Sequence, residues 1–239
     1  LKPVVAISSS FFQRAFDQLV HDAALQKSPV LFALDRAGIV GADGPTHHGV
    51  QDIAMFRQVP GAALAAPRDC GVLEALLRTV LPSLDRPTGI RYPKGLEPER
   101  AALPPENPVM GRGQLIRPGT DAVILAAGVM VSPAVGAADI LARRGVRAAV
   151  YDPIWLKPLP EDEITDICRG VRAVVTVEEG CLAGGFGEGV QALLSRTPVT
   201  RLGIPDDFQP HGSHGDLLSR LGLDPEGIAE AVLKAVESQ

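Results

Sequence analysis

Three cysteines among 239 residues, Cys70, Cys168 and Cys181, are too few and too scattered for a disulfide framework or a zinc site. Such sparse thiols suit a reducing compartment, so a cytoplasmic protein is expected. No apolar run approaches the roughly 20 residues of a membrane span, and no signal-peptide pattern opens the chain. No membrane partner is therefore expected. A basic stripe is missing too. The net charge is -5 and the pI about 5.6, which argues against a nucleic-acid surface. Nothing has the form of a nucleophile elbow, a Walker loop or a kinase signature, so catalysis by protein groups alone is not expected. What remains is 46% hydrophobic and 21% charged. That composition describes a globular chain, long enough for one large or two ordinary α/β domains.

Apolar strand-like runs alternate with helical patterns. Pro3–Ile7, Pro29–Asp35, Ala62–Ala66 and Gly89–Tyr92 read as strands. Between them, Ser8–Ser10 read as an N-cap for a helix at Phe11–Gln26, Asp52–Gln58 as a short helix, and Asp69 as the cap of a helix at Cys70–Ser83. Steps of about 30 residues imply βαβ units and a mainly parallel sheet. Leu96–Pro108 holds four prolines and three glutamates with little periodicity and reads as a linker. A second series follows. It has strands at Ala122–Ala127, Ala148–Asp152, Ala173–Val177 and Val199–Ile204. Helices are expected at Ser132–Arg144, Glu161–Cys168, Val190–Leu194, Gly215–Arg220 and Pro225–Glu237, with a turn at Trp155–Pro160. The fold class is α/β in two domains, residues 1–95 and 109–239, with helices flanking mainly parallel sheets.

The richest stretch is Leu31–Gly49, LFALDRAGIVGADGPTHHG. An apolar strand delivers Asp35, Arg36, Asp43, Thr46, His47 and His48 onto a glycine-spaced loop, as open α/β sheets do beyond their strand ends. Arg91 ends another strand in the same way. His47 suits a donor or proton shuttle better than a metal ligand, because no partner stands at metal spacing. Arginines, an aspartate and a histidine suit a small anionic substrate held beside a cofactor. Phe11 and Arg14, three apart, share a helix face, where Phe11 reads equally well as core. The cluster Gly184–Gly189 has the context of a phosphate loop, but Glu188 would oppose a pyrophosphate. Close packing of a helix on the sheet is the better reading. Glu178 and Glu179, adjacent on a strand, point to opposite faces and read as surface or interface residues. His211 and His214 read as structural.

Five stretches, PVVAISSSFFQRAFDQLVHD, LFALDRAGIVGADGPTHHG, GIRYPKG, VEEG with GGFGEGV, and LGIPDDFQPHG, resemble in order the 1-deoxy-D-xylulose-5-phosphate synthases. These are thiamine-diphosphate enzymes of the transketolase group. The resemblance covers essentially the whole chain. It implies a pyrimidine-binding domain followed by a transketolase C-terminal domain, and condensation of pyruvate with glyceraldehyde 3-phosphate with loss of carbon dioxide. Phe11 would stack on the cofactor's aminopyrimidine and Arg14 would support that pocket. Arg36 and Arg91 would hold the substrate phosphate, and Asp43 and His47 would contact substrate and assist proton transfer. Ser8 stands where the family usually has a substrate-side tyrosine. The diphosphate and Mg2+ site, and the glutamate that activates the aminopyrimidine, belong to a preceding segment of the family that this chain lacks. The expected partners are that segment and a second copy in a homodimer, and the piece alone is expected to be inactive. The alternatives are a β-type subunit of a 2-oxoacid dehydrogenase, against which the DRAG…THHG loop speaks, and a non-catalytic dimerisation module.

Overall fold

The computed structural model describes residues 1–95 and 107–238. Of the linker expected at 96–108, only Asn107 and Pro108 fall within the described residues.

The first half forms β1 (Val4–Ser8), β2 (Leu31–Asp35), β3 (Ala63–Ala65) and β4 (Thr88–Arg91). They lie side by side in the order β1-β2-β4-β3, all parallel. Leu31, Leu34, Ala63 to Ala65 and Ile90 are buried, as strands covered on both faces must be. The helix expected at Phe11–Gln26 is not a regular one. A 3₁₀ segment (Ser9–Ala15) passes into a single α turn, α1 (Phe16–Gln18), and then a π segment (Leu19–Ala24). The expected serine cap is absent: Ser8, at the N-cap, accepts no side-chain hydrogen bond from the helix start, and Ser9 Oγ donates to Gly49 O at 3.2 Å. A 3₁₀ turn at a helix start is common. Two further helices, α2 (Asp52–Gln58) and α3 (Cys70–Ser83), connect the remaining strands, and Asp69 caps α3 by accepting from Val72 N at 2.8 Å.

The second half carries β5 (Gln114–Arg117), β6 (Ala122–Ala126), α4 (Val131–Arg143), β7 (Ala148–Asp152), β8 (Trp155–Lys157), α5 (Glu161–Ile167), β9 (Ala173–Cys181), α6 (Phe186–Leu193), β10 (Val199–Ile204), α7 (His214–Arg220) and α8 (Pro225–Glu237). Its sheet runs β10-β9-β6-β7-β5, parallel apart from β5 at one edge.

Three further expectations need correction. Trp155–Lys157 is a strand and not a turn. It leaves its own half and pairs antiparallel with β3, completing the first sheet. Ile154 makes the crossover in the left-handed region, φ 55°, and its carbonyl accepts from Ala66 N at 2.8 Å. Next, β9 continues past Val177 to Cys181, so Glu178 and Glu179 lie inside a fully covered strand. Their exposures of 0% and 1% exclude a surface role. Finally, α6 starts at Phe186, four residues early, and takes Gly187 and Gly189 into the helix.

The two halves share a core as well as a strand. Phe12, Phe32 and Phe56 pack ring against ring in one cluster with Val123, Leu125, Phe186 and Val190. Polar ties join them too. Arg68 and Asp152 form a buried ion pair at 2.9 Å. Arg57 Nη1 donates to Gly184 O at 2.9 Å. Lys157 Nζ donates to the carbonyls of Phe56, Arg57 and Val59, capping the C-terminus of α2.

Candidate functional site

Strand register gathers the predicted residues. Ser8 pairs with Asp35 and Leu34 with Arg91, so three neighbouring strands end side by side. The chain leaves β2 through Arg36 in the left-handed region, φ 54°. Gly38 and Gly49 exchange backbone hydrogen bonds at 2.7 and 2.8 Å and close the neck of the loop. A Cβ at Gly49 would fall 2.5 Å from Arg36 O and 2.6 Å from the Ser9 side chain, so only glycine fits there.

Beyond the neck stands a charged cluster. Lys94 Nζ donates to Asp43 Oδ2 at 2.6 Å, and Arg36 Nη1 lies 3.7 Å from the same oxygen. The hydrogen bond from Lys94, foremost, with the charges of Arg36 and His47 behind it, holds the Asp43 carboxyl below its ordinary value. His47 Nδ1 shares a 2.9 Å hydrogen bond with Thr46 Oγ1, and its ring meets Phe11 edge to face at 5.4 Å. Arg14 Cζ lies 5.9 Å from the centroid of the Phe11 ring. Phe11 is 39% exposed whereas Phe12 is fully buried, so of the two adjacent rings Phe12 is core and Phe11 faces the site. Thus Arg36, Asp43, His47, Phe11 and Arg14 come together in one patch. Lys94 belongs to it as well, although the sequence pattern does not single it out. Its one signal is a cation three residues beyond Arg91, turned out of the strand by Pro93. Ser8 is half-buried at the strand end. Oγ of Ser10, two residues on, and Oδ1 of Asp35, the register partner of Ser8, are buried without a hydrogen-bond partner.

Arg91 is placed differently. It is 5% exposed, donates to Asp52 Oδ2 at 2.9 Å and to Glu179 O at 3.0 Å, and serves as the wall behind the loop. Burial works to lower its pKa, and the carboxylates of Asp52, Glu179 and Glu178 more than offset this.

The second half closes the site from behind. Glu178 accepts from Phe186 N and Gly187 N, both at 2.7 Å. Its carboxylate therefore fills the N-terminus of α6, where an anion would bind, and the glycine cluster packs a helix instead of holding phosphate. Burial pushes Glu178 up to about 7 against those two hydrogen bonds. Glu179 points the other way, into the loop: its Oε1 accepts from Ile39 N at 2.7 Å and shares a 2.8 Å contact with His214 Nε2. His48, mostly buried, accepts from Val40 N at Nδ1, so Nε2 carries the proton and donates to Pro210 O at 3.3 Å.

A half-exposed aromatic ring beside a guanidinium, next to unpartnered buried oxygens, fits the flat heteroaromatic end of a cofactor. The described residues contain no group of three or more His, Cys, Asp or Glu that could hold a metal ion. No helix among them is long and apolar enough to cross a membrane.

Comparison with known proteins agrees with this layout. The model of the transketolase pyrimidine-binding domain matches residues 1–99, and that of the transketolase C-terminal domain residues 111–228. The 1-deoxy-D-xylulose-5-phosphate synthase of Gloeobacter violaceus is 43% identical over all of this chain, and that of Thermomicrobium roseum 46% identical over 98% of it. The chain spans 38% of the length of each. Among solved structures, a split-gene transketolase described as an inactive β4 tetramer superposes with a TM-score of 0.87 at 28% identity, covering 98% of this chain and 76% of that one. A transketolase from Pichia stipitis shares the fold, with a TM-score of 0.83 at 21% identity over 98% of this chain and 34% of its own.

Proposed function

The chain belongs to the 1-deoxy-D-xylulose-5-phosphate synthase family of transketolase-type proteins, and on that premise we propose that it is the pyrimidine-binding and C-terminal part of an enzyme condensing pyruvate with glyceraldehyde 3-phosphate. Thiamine diphosphate, when bound, would supply stabilisation of a carbanion at the former carbonyl carbon of pyruvate, chemistry that amino-acid side chains do not provide. Phe11 and Arg14 would hold its pyrimidine end. Mg2+ and the diphosphate would fall to the preceding segment that the resemblance implies.

The observation that carries the reading is the paired cations at the rim. Arg36 and Lys94 share one carboxylate, Asp43, and both remain partly exposed. An incoming phosphate presents three acceptor oxygens and displaces a single carboxylate oxygen readily. In this reading Arg36 and Lys94 take the aldehyde phosphate, and Arg91 shapes the pocket wall beside them. Asp43, released from the two cations once the phosphate has taken its place, accepts a hydrogen bond from a substrate hydroxyl. His47, steadied by Thr46 and the edge of Phe11, gives or takes the proton at its free Nε2. Ser8 lines the pyruvate side with more room than an aromatic ring would leave.

The test is Arg36→Ala in the full-length protein. Loss of a charge-assisted contact to phosphate should raise the KM for glyceraldehyde 3-phosphate about tenfold or more and barely change that for pyruvate. Equal losses for both substrates would refute the phosphate assignment.

By the same reading the chain by itself is inactive, and the complete enzyme works as a homodimer in the cytoplasm and feeds isoprenoid and thiamine synthesis. The likeness to a split-gene transketolase chain supports a two-chain arrangement as a second reading, with a first domain supplied by a separate polypeptide. Adding a purified first domain to this chain and assaying turnover separates the two.

A further inference from the structure

The loop that carries Arg36, Asp43 and His47 is gripped from the opposite half of the molecule. Gly38 stands at φ +82°, and a Cβ there would lie 2.5 Å from the Glu179 carboxyl carbon. Only glycine lets the carboxylate come so close. Glu179 Oε1 then takes the Ile39 N–H at 2.7 Å and faces His214 Nε2 at 2.8 Å. The carboxylate is 1% exposed, so these contacts must offset its desolvation. His214 opens α7, and its side chain is 46% exposed. A Cβ at Gly41 would lie 2.9 Å from both Gly212 O and His214 N, so the short turn Gly41–Asp43 rests directly on the backbone before α7. One grip therefore sits between Arg36 and Asp43, and the turn bearing Asp43 leans on the residue that completes it.

We propose that Glu179 and His214 are positioning residues for the substrate loop: their hydrogen-bonded pair, reaching across from the C-terminal domain, fixes the backbone at Gly38–Gly41 and so sets where Arg36 and Asp43 meet the substrate. This inference rests on the reading that the loop receives the phosphorylated aldehyde. Neither residue touches substrate. They act through the Ile39 amide and the turn that follows it, and a displacement of about 1 Å at that depth is enough to lower the rate about a hundredfold.

The experiment compares Glu179→Ala, Glu179→Gln and His214→Ala in the full-length enzyme. It reads the KM values for glyceraldehyde 3-phosphate and pyruvate, activation by thiamine diphosphate, and hydrogen exchange of the 38–48 segment. Glu179→Ala should raise the KM for the phosphorylated aldehyde about tenfold or more, leaving pyruvate and cofactor dependence within about twofold. It should also speed exchange in 38–48 about tenfold or more, while β2 exchanges as before. Glutamine retains an acceptor for the Ile39 amide and should restore both values. His214→Ala should give the same pattern, more weakly. Wild-type kinetics and exchange in Glu179→Ala would overturn the proposal. So would equal loss for both substrates with faster exchange in β2 as well, which marks a general structural role. Should Glu179→Ala not fold, His214→Ala, altered at a half-exposed side chain, decides the same comparison. If the wild-type enzyme does not use glyceraldehyde 3-phosphate, the functional reading has failed, and the exchange arm still decides the positioning role.

Discussion

Cutting the buried tie between the two halves should unfold both together, and unequally according to which partner is removed. Arg68 and Asp152 are 1% and 0% exposed at their side chains and meet at 2.9 Å. Removing one partner of such a pair strands the other charge out of water, at a cost of about 3–5 kcal/mol. The surroundings rank the two variants. Asp152→Asn leaves Arg68 with Asp69, whose Oδ2 lies 3.5 Å from Nε, and retains an acceptor for the Ile154 N–H. Its cost should fall near the lower end. Arg68→Met leaves Asp152 with only that N–H at 2.9 Å, so its cost should approach the upper end. At about 2–4 °C per kcal/mol for a chain of this size, Arg68→Met lowers Tm by about 10 °C or more. Replacing both, as Arg68→Met with Asp152→Leu, removes both charges and should recover most of the loss. The assay is urea unfolding followed in two ways. Trp155, the one tryptophan of the chain and 1% exposed, sits in the crossover strand itself. Its fluorescence reports the junction, and far-ultraviolet circular dichroism reports all helices. Coincident transitions and a large coupling energy are expected. Single variants costing under about 1 kcal/mol, strict additivity in the double variant, or a junction that melts before the helices would refute the picture of one interlocked unit.

Other consequences can be measured separately. Lys157→Met removes the cation from three carbonyls at the end of α2 and should cost about 1–3 kcal/mol by the same urea assay; a change below about 0.3 kcal/mol would mean water replaces it. Gly38→Ala demands φ +82° of an L-residue and drives its methyl into the Glu179 carboxylate, so the full-length enzyme should lose turnover well before it loses its fold; unchanged kcat/KM would contradict the tight neck. Lys94→Ala removes the main cause of the low Asp43 pKa, so the Asp43 carboxyl should titrate at higher pH by NMR; an unchanged titration would place Lys94 elsewhere in solution. Stability should fall as pH rises from about 4 towards 8. Burial lifts Asp152 to about 6 and Glu178 to about 7, both above their unfolded values, and hydrogen bonding to Glu179 lifts His214. Each such group favours the protonated folded form, so its contribution is complete below the unfolded pKa and lost as pH climbs through the folded one. A urea midpoint that increases between pH 5 and 8 would show these groups do not govern the profile.

Much of the fold is legible in the order of residues alone, and the physical reason is locality. Strand and helix signals are carried by neighbours a few residues apart, so the βαβ order and the N-cap at Asp69 can be read directly. Most of the helices can be read in the same way. The loop 36–49 stands out because its glycines and charges are contiguous, and its residues do meet in space with Phe11 and Arg14. Whatever depends on partners far along the chain cannot be read. Trp155–Lys157 resembles a turn between two prolines, and only the open edge of β3, some ninety residues earlier, makes it a strand. Arg91 and Lys94 are both cations at a strand end. Depth alone separates them: Asp52 claims the first inside, and Asp43 meets the second at the rim. Glu178 and Glu179 look like exposed charges because their compensation comes from the amides of α6, from Ile39 and from His214, across both sheets. Sequence by itself determined the elements and the chemistry available to them. Tertiary structure alone decided which charges stand at the open rim and which are buried and paired, because burial and pairing are properties of neighbours in space.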